Sequence, residues 1–132
     1  RYSDKVEVGS SNLPSPTFYY KMKILFICRA NLQRSPTAVD VFNKLAKRFN
    51  IKAEAKSAGI DELSEVVINK ALINWADRIY VMEQFQKEFI LSLEPLAKNK
   101  IKVLNIKDVY YRDDPELITI LENKLKNEFK LV

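Results

Sequence analysis

The chain has no histidine, one cysteine, two glycines and one tryptophan in 132 residues. Without histidine, Ser-His-Asp and Cys-His catalysis are excluded, as is every histidine-based metal site. A single cysteine, Cys28, excludes an internal disulfide framework and a Cys-rich zinc site. Acid–base chemistry therefore falls to Asp, Glu, Lys, Tyr or the one thiol. No apolar run approaches the length of a membrane span. The first residues show no signal-peptide pattern. Nothing in the sequence calls for a metal or a cofactor. The one thiol fits a reducing, cytoplasmic setting, and the lack of a long apolar run fits no membrane partner.

What is present is an ordinary globular balance, 47% hydrophobic and 30% charged, with a net charge of +5. A basic surface can steer an anionic substrate. The lysines are scattered, however, with no dense block and no basic-aromatic repeat, so no nucleic-acid partner is expected. Residues 1–21 read as a leader, non-native or disordered, because Ser10-Ser11-Asn12-Leu13-Pro14-Ser15-Pro16 is polar and Pro-interrupted. Met22 then opens an apolar strand-like run, and residues 22–132 read as one domain.

From Met22 the chain alternates strand and helix patterns. Lys23 to Ile27 is the first strand. Ala38, Val41, Phe42, Leu45, Ala46 and Phe49 mark a helix face, with Ser35 as its cap and Pro36 at its first position. Ile51 to Ala58 is a second strand, ended by Gly59. Ser64 caps a helix carrying Val67, Ile68, Ala71, Leu72 and Trp75. Arg78 to Met82 is the third strand, and Phe85, Phe89, Leu93 and Leu96 stripe the helix after it. Ile101 to Ile106 is the fourth strand. Asp114-Pro115 opens a last helix with Leu117, Ile118, Leu121, Leu125 and Phe129 inward. Four β-α units with short connections predict an α/β domain, a parallel sheet covered on both faces. Ligands of such sheets bind beyond the carboxyl ends of the strands. Cys28 and Asp108 lie at that rim, after the first and fourth strands.

The stretch Cys28-Arg29-Ala30-Asn31-Leu32-Gln33-Arg34-Ser35 joins the first strand to the first helix. The N–H groups of Arg29, Ala30, Asn31, Leu32, Gln33, Arg34 and Ser35 can converge on a tetrahedral anion, helped by the helix start. Arg34 can grip two phosphate oxygens with its planar fork. The same donors, and the Ser35 hydroxyl, favour a thiolate at Cys28. A thiolate beneath a bound phosphate is placed for in-line attack, giving a cysteinyl phosphate that water then hydrolyses. The leaving oxygen needs a proton, and with no histidine a carboxyl is the natural donor. Asp108 is the candidate acid. Asp113 and Asp114 are poorer ones, Asp114 being better explained as a helix cap. Tyr110 and Tyr111 beside Asp108 are either pocket wall or edge packing.

In these features the chain resembles the low-molecular-weight protein tyrosine phosphatases, particularly their short microbial members. Ile24 to Pro36 is similar to their phosphate-binding loop, and Ser57-Ala58-Gly59 to the motif after their second strand. Ala76-Asp77-Arg78-Ile79-Tyr80-Val81-Met82 is similar to their third-strand segment. Asp108-Val109-Tyr110-Tyr111 stands where they usually carry Asp-Pro-Tyr-Tyr. The resemblance implies a single three-layer domain over residues 22–132 with a four-stranded sheet in the order 2-1-3-4. It implies a cysteine-dependent protein-tyrosine phosphatase with Cys28 as nucleophile, Arg34 as clamp, Ser35 as thiolate donor and Asp108 as general acid. The partner would be a phosphorylated protein or a small phosphomonoester.

The chain also departs from that pattern. Gln33 stands where the family often has a second cysteine, so Cys28 has no disulfide partner within the chain. Ala30 replaces a usual glycine, and Asn31 is the residue better suited to a left-handed backbone. Arg29 replaces an uncharged residue and adds positive potential to the pocket. Val109 replaces a proline in the acid loop. These changes leave other substrates open for the same chemistry: phosphoserine, phosphoarginine or a small metabolite. A module that holds phosphate without turnover is the non-enzymatic alternative.

Overall fold

In β1, Met22–Cys28, alternate side chains point to opposite faces, and the five from Ile24 to Cys28 are all buried. A strand buried on both faces belongs in the middle of a parallel sheet. The computed structural model, which describes residues 21–131, places it there. The sheet order is β2-β1-β3-β4, all pairs parallel, with β2 at Ala53–Gly59, β3 at Arg78–Val81 and β4 at Ile101–Val103. This is the 2-1-3-4 order expected. Register pairs Cys28 with Gly59 and Ile27 with Val81, so three strand ends meet at one rim. The proposed leader, residues 1–21, lies outside the described residues except for Lys21.

Helices α1, Arg34–Arg48, and α4, Pro115–Glu128, cover one face of the sheet. Phe42, Leu45, Leu117, Leu121 and Leu125 bury there against Ile24, Phe26 and Tyr80. Phe26 stacks on Tyr80 at 5.7 Å between ring centroids. Helices α2, Lys70–Trp75, and α3, Gln84–Leu93, cover the other face. Ile73 and Ile90 meet Leu25, Ile27, Ile79 and Val81 there. Each such side chain contributes about 1.5–3 kcal/mol by leaving water. Asp114 caps α4 through the Glu116 N–H at 2.9 Å, as expected, with Pro115 in the first turn. No helix among the described residues is long and apolar enough to cross a membrane.

Several element boundaries differ from the sequence reading. Ser35 does not cap α1. It lies inside the first turn and turns its hydroxyl to Cys28 and Asn31. Ser64 does not cap α2. Asn69 does, accepting from Leu72 N at 2.8 Å, and the β-branched run before it stays extended, with Val67 bridging to Gly59. The buried stripe of α3 is Gln86 and Ile90, leaving Phe85, Phe89 and Leu96 exposed. The Gln86 side-chain oxygen accepts from the N–H groups of Met82 and Glu83, which rotates that face inward. β4 is shorter than expected, but its ladder continues: Leu104 N donates to Val81 O and Ile106 N to Met82 O.

Candidate active site

The loop after β1 is built around the Cys28 sulfur. Asn31 donates its backbone N–H to Sγ at 3.1 Å, and Ser35 Oγ lies 3.0 Å from Sγ. Asn31 reaches this position with a left-handed backbone, φ 56°, a conformation asparagine tolerates well. Its Oδ1 lies 2.9 Å from Ser35 Oγ. Ser35 carries one hydroxyl proton, so at any moment it serves the sulfur or Asn31, not both. Asn31 and Ser35 are thus a buried brace behind the loop rather than cavity wall. β2 lies close against this loop at Gly59. A Cβ on that residue would lie 2.8 Å from Ala30 C and Asn31 N, and would also collide with Ser64 Oγ. Only glycine fits, a role the sequence reading missed in treating Gly59 as a strand end.

Arg34, the first residue of α1, is the largest fully buried side chain and carries a charge. Its Nη1 donates to Glu83 Oε1 at 2.7 Å and to Ile106 O at 2.6 Å. Nε lies 3.6 Å from Asp108 Oδ1, and Nη2 has no hydrogen-bond partner among the described residues. One nitrogen is therefore tied to the scaffold, while the Nε–Nη2 edge remains for a ligand. Glu83 and the Ile106 carbonyl were not among the expected residues. The signal for Glu83 was its place just beyond the third strand, on the same rim.

Cys28, Arg29, Ala30, Leu32, Gln33, Arg34 and Asp108 line a cavity of about 230 Å³. The thiol, the arginine and the candidate acid, far apart in sequence, thus share one small space. Tyr110 and Tyr111 are not in its wall. Tyr110 is half-buried against the α1–α4 core, with its hydroxyl 3.4 Å from Glu116 Oε2. Desolvation, then the Glu116 and Asp114 carboxylates, push its pKa upward. Tyr111 is exposed. A larger hollow, about 320 Å³, opens at Asp77–Arg78 and Asn99–Lys102, away from the thiol.

A thiol at a strand end, bonded to the Asn31 N–H and to the Ser35 hydroxyl, with a buried arginine opening the next helix, forms a cysteine loop at the rim of a parallel α/β sheet. The model of the family "Low molecular weight phosphotyrosine protein phosphatase" matches residues 23–73, which hold the whole loop. Over that stretch, which spans the loop and the first two strands, the chain is similar to this family, and the sheet order agrees with the likeness. Solved structures share the fold at low identity. The low molecular weight protein tyrosine phosphatase of Bacillus subtilis is 21% identical, with TM-score 0.67, covering 83% of this chain and 97% of its own. The tyrosine phosphatase Wzb of Escherichia coli K30, in complex with phosphate, is 23% identical, with TM-score 0.66 and coverage of 84% and 98%. The YwlE arginine phosphatase of Geobacillus stearothermophilus is 24% identical, with TM-score 0.60 and coverage of 83% and 93%. No curated protein matches the sequence.

Proposed function

We propose that this chain hydrolyses phosphomonoesters through Cys28, with phosphotyrosine in protein as its leading substrate. The Cys28 thiolate attacks phosphorus from the cavity floor, and the bond from phosphorus to the leaving oxygen breaks. Asp108 gives its proton to that oxygen. Water then attacks the cysteinyl phosphate, Asp108 takes the water's proton, and inorganic phosphate leaves with the thiolate restored. The loop N–H groups and Arg34 hold the three equatorial oxygens throughout. The observation that carries this reading is the division of Arg34: Nη1 anchored at 2.6 and 2.7 Å, with the Nε–Nη2 edge in the same cavity as the sulfur. A carboxyl beside that edge favours turnover over simple phosphate holding, because a binder needs no acid.

Leu32 is about half exposed and lines the cavity, offering an apolar wall for an aryl ring. Exposed Arg29 at the same mouth favours anionic surroundings for the phosphoryl group. Phosphoserine, phosphoarginine and small phosphomonoesters would pass through the same steps. A lone thiolate nucleophile works where thiols stay reduced, so the cytoplasm is the proposed setting. The deciding experiment is hydrolysis of an aryl phosphate by the reduced protein and its Cys28→Ser variant. Turnover by the wild type and none by Cys28→Ser is expected. An inert wild type would refute the enzymatic reading, and an active Cys28→Ser would refute the mechanism. Peptides bearing phosphotyrosine, phosphoserine or phosphoarginine then rank the substrates.

A further inference from the structure

We infer that Thr37 is a positioning residue that ties the acid loop to the phosphate-binding loop; this rests on the reading of Asp108 as general acid. Thr37 lies in the first turn of α1 and is completely buried. Its Oγ1 donates to Gln33 O at 2.8 Å, an ordinary local bond for a threonine in a helix. The same oxygen accepts the backbone N–H of Asp113 at 3.0 Å, from 76 residues away. Asp113 has a left-handed backbone, φ 62°. One hydroxyl thus joins a residue of the cavity wall, Gln33, to the far end of the segment that carries Asp108.

Asp108 needs such help because little else holds it. Its side chain is 48% exposed, and Arg34 Nε lies 3.6 Å from its Oδ1, too long for a hydrogen bond. Val109 and Tyr111 are exposed, and only Tyr110 between them packs, half-buried on the α1–α4 core. The segment is fixed at its two ends. Ile106 donates its N–H to Met82 O and accepts from Arg34 Nη1 at its carbonyl, while Asp113 is held by Thr37. Arg112 and Asp40, 3.7 Å apart, run alongside as an exposed ion pair, a weak second tie. Releasing Asp113 would remove the bond that ties this segment directly to the phosphate-binding loop, and Asp108 could then shift relative to the leaving oxygen. Proton donation tolerates little drift.

The test compares kcat/KM for phenyl phosphate, a poor leaving group, with p-nitrophenyl phosphate, a good one. The proteins are wild type, Thr37→Val, Thr37→Ser and Asp108→Asn. Thr37→Val should lose roughly tenfold or more on phenyl phosphate but only about threefold or less on p-nitrophenyl phosphate. Thr37→Ser, which keeps the hydroxyl, should recover most of that loss. Inhibition by inorganic phosphate should be the same in wild type and Thr37→Val. Equal losses on both substrates with weakened phosphate inhibition would show that Thr37 serves the loop alone, and would overturn the inference. So would full activity in Thr37→Val, or no recovery in Thr37→Ser. If Thr37→Val does not fold, Thr37→Ala carries the same comparison. Discrimination by Asp108→Asn without discrimination at position 37 would sink this inference alone. No discrimination by Asp108→Asn would sink the acid reading, and the inference with it.

Discussion

Arg34 is a buried cation whose orientation depends on two acceptors, and Glu83 is the charged one. In Glu83→Ala, Nη1 would keep only the Ile106 carbonyl, and Asp108 would become the nearest carboxylate of the site. The guanidinium would then be drawn across the cavity toward Asp108, away from the edge-on position that a phosphate requires. Breaking a fully buried pair costs about 3–5 kcal/mol, and a hydrogen bond to a charged group contributes about 1.5–3. Glu83 is 34% exposed, so water repays part of the loss and the lower range applies. A cost of about 2 kcal/mol corresponds to roughly 30-fold in phosphate affinity.

The assay is competitive inhibition by inorganic phosphate, together with kcat/KM for phenyl and p-nitrophenyl phosphate. Phosphate inhibition should weaken about 10–30-fold in Glu83→Ala, with both kcat/KM values falling alike. Equal falls are the point: in the proposed mechanism Arg34 holds the phosphoryl group whatever the leaving group, so its misplacement would not discriminate between them. Glu83→Gln keeps an acceptor oxygen and should lose roughly a third as much in free energy. Phosphate inhibition within about twofold of wild type in Glu83→Ala would refute the view that this pair orients the arginine.

Gly59→Ala places a methyl 2.8 Å from backbone atoms of Ala30 and Asn31, which cannot yield unless the loop moves. Thermal unfolding should report a loss of about 1–3 kcal/mol, and phosphate inhibition should weaken with it; destabilisation with unchanged phosphate binding would mean that the loop stayed in place. Tyr80 is buried, and desolvation pushes its pKa above 10 despite the Arg78 guanidinium beside its hydroxyl. The unfolded chain therefore releases this proton at lower pH than the folded one. The contribution is intact below pH about 10 and is lost as pH rises beyond it. Urea unfolding followed from neutral to alkaline pH should show a steeper decline in wild type than in Tyr80→Phe, and equal declines would assign the effect to other groups.

The parts of the site that are legible in the sequence are those fixed by short-range pattern. The apolar run before Cys28 sets a buried strand, the helix pattern follows within a few residues, and the loop between them has little freedom in where it points. Asp108 was reached by a topological rule, that successive parallel strands end at one rim, and that rule needs only the order of elements. The same rule applied to Glu83, directly after the third strand, would have found it, but a polar residue at a helix start has an ordinary explanation. Thr37 gives no such signal. Its local bond to Gln33 is common, and its long-range bond to Asp113 appears only when α1 and the acid loop are in space. The α3 stripe went wrong for a related reason. Phe85 and Phe89 satisfy helical spacing as well as Gln86 and Ile90 do, and the inward turn of the latter face goes with two backbone N–H groups that donate to the Gln86 side-chain oxygen. Tyr110 is similarly ambiguous in the sequence, because its packing on the core and its bond to Glu116 exist only in the folded chain.

In the proposed mechanism Asp108 and an incoming phosphate would face the same edge of Arg34, and the geometry favours the phosphate. The carboxylate sits 3.6 Å from Nε and is about half exposed, so the attraction is weak and screened. Two phosphate oxygens can span Nε and Nη2 as a pair of short charge-assisted bonds, and Nη2 has no protein bond to surrender. The phosphate therefore displaces only a long ion pair, while Nη1 keeps its hold on Glu83 and Ile106 and the guanidinium need not turn. Asp108, released from Nε, is left at the mouth where the leaving oxygen emerges. In the proposed mechanism, binding the substrate and freeing Asp108 would thus be one event, and the orientation of Arg34 that this requires is already fixed by Glu83 and Ile106.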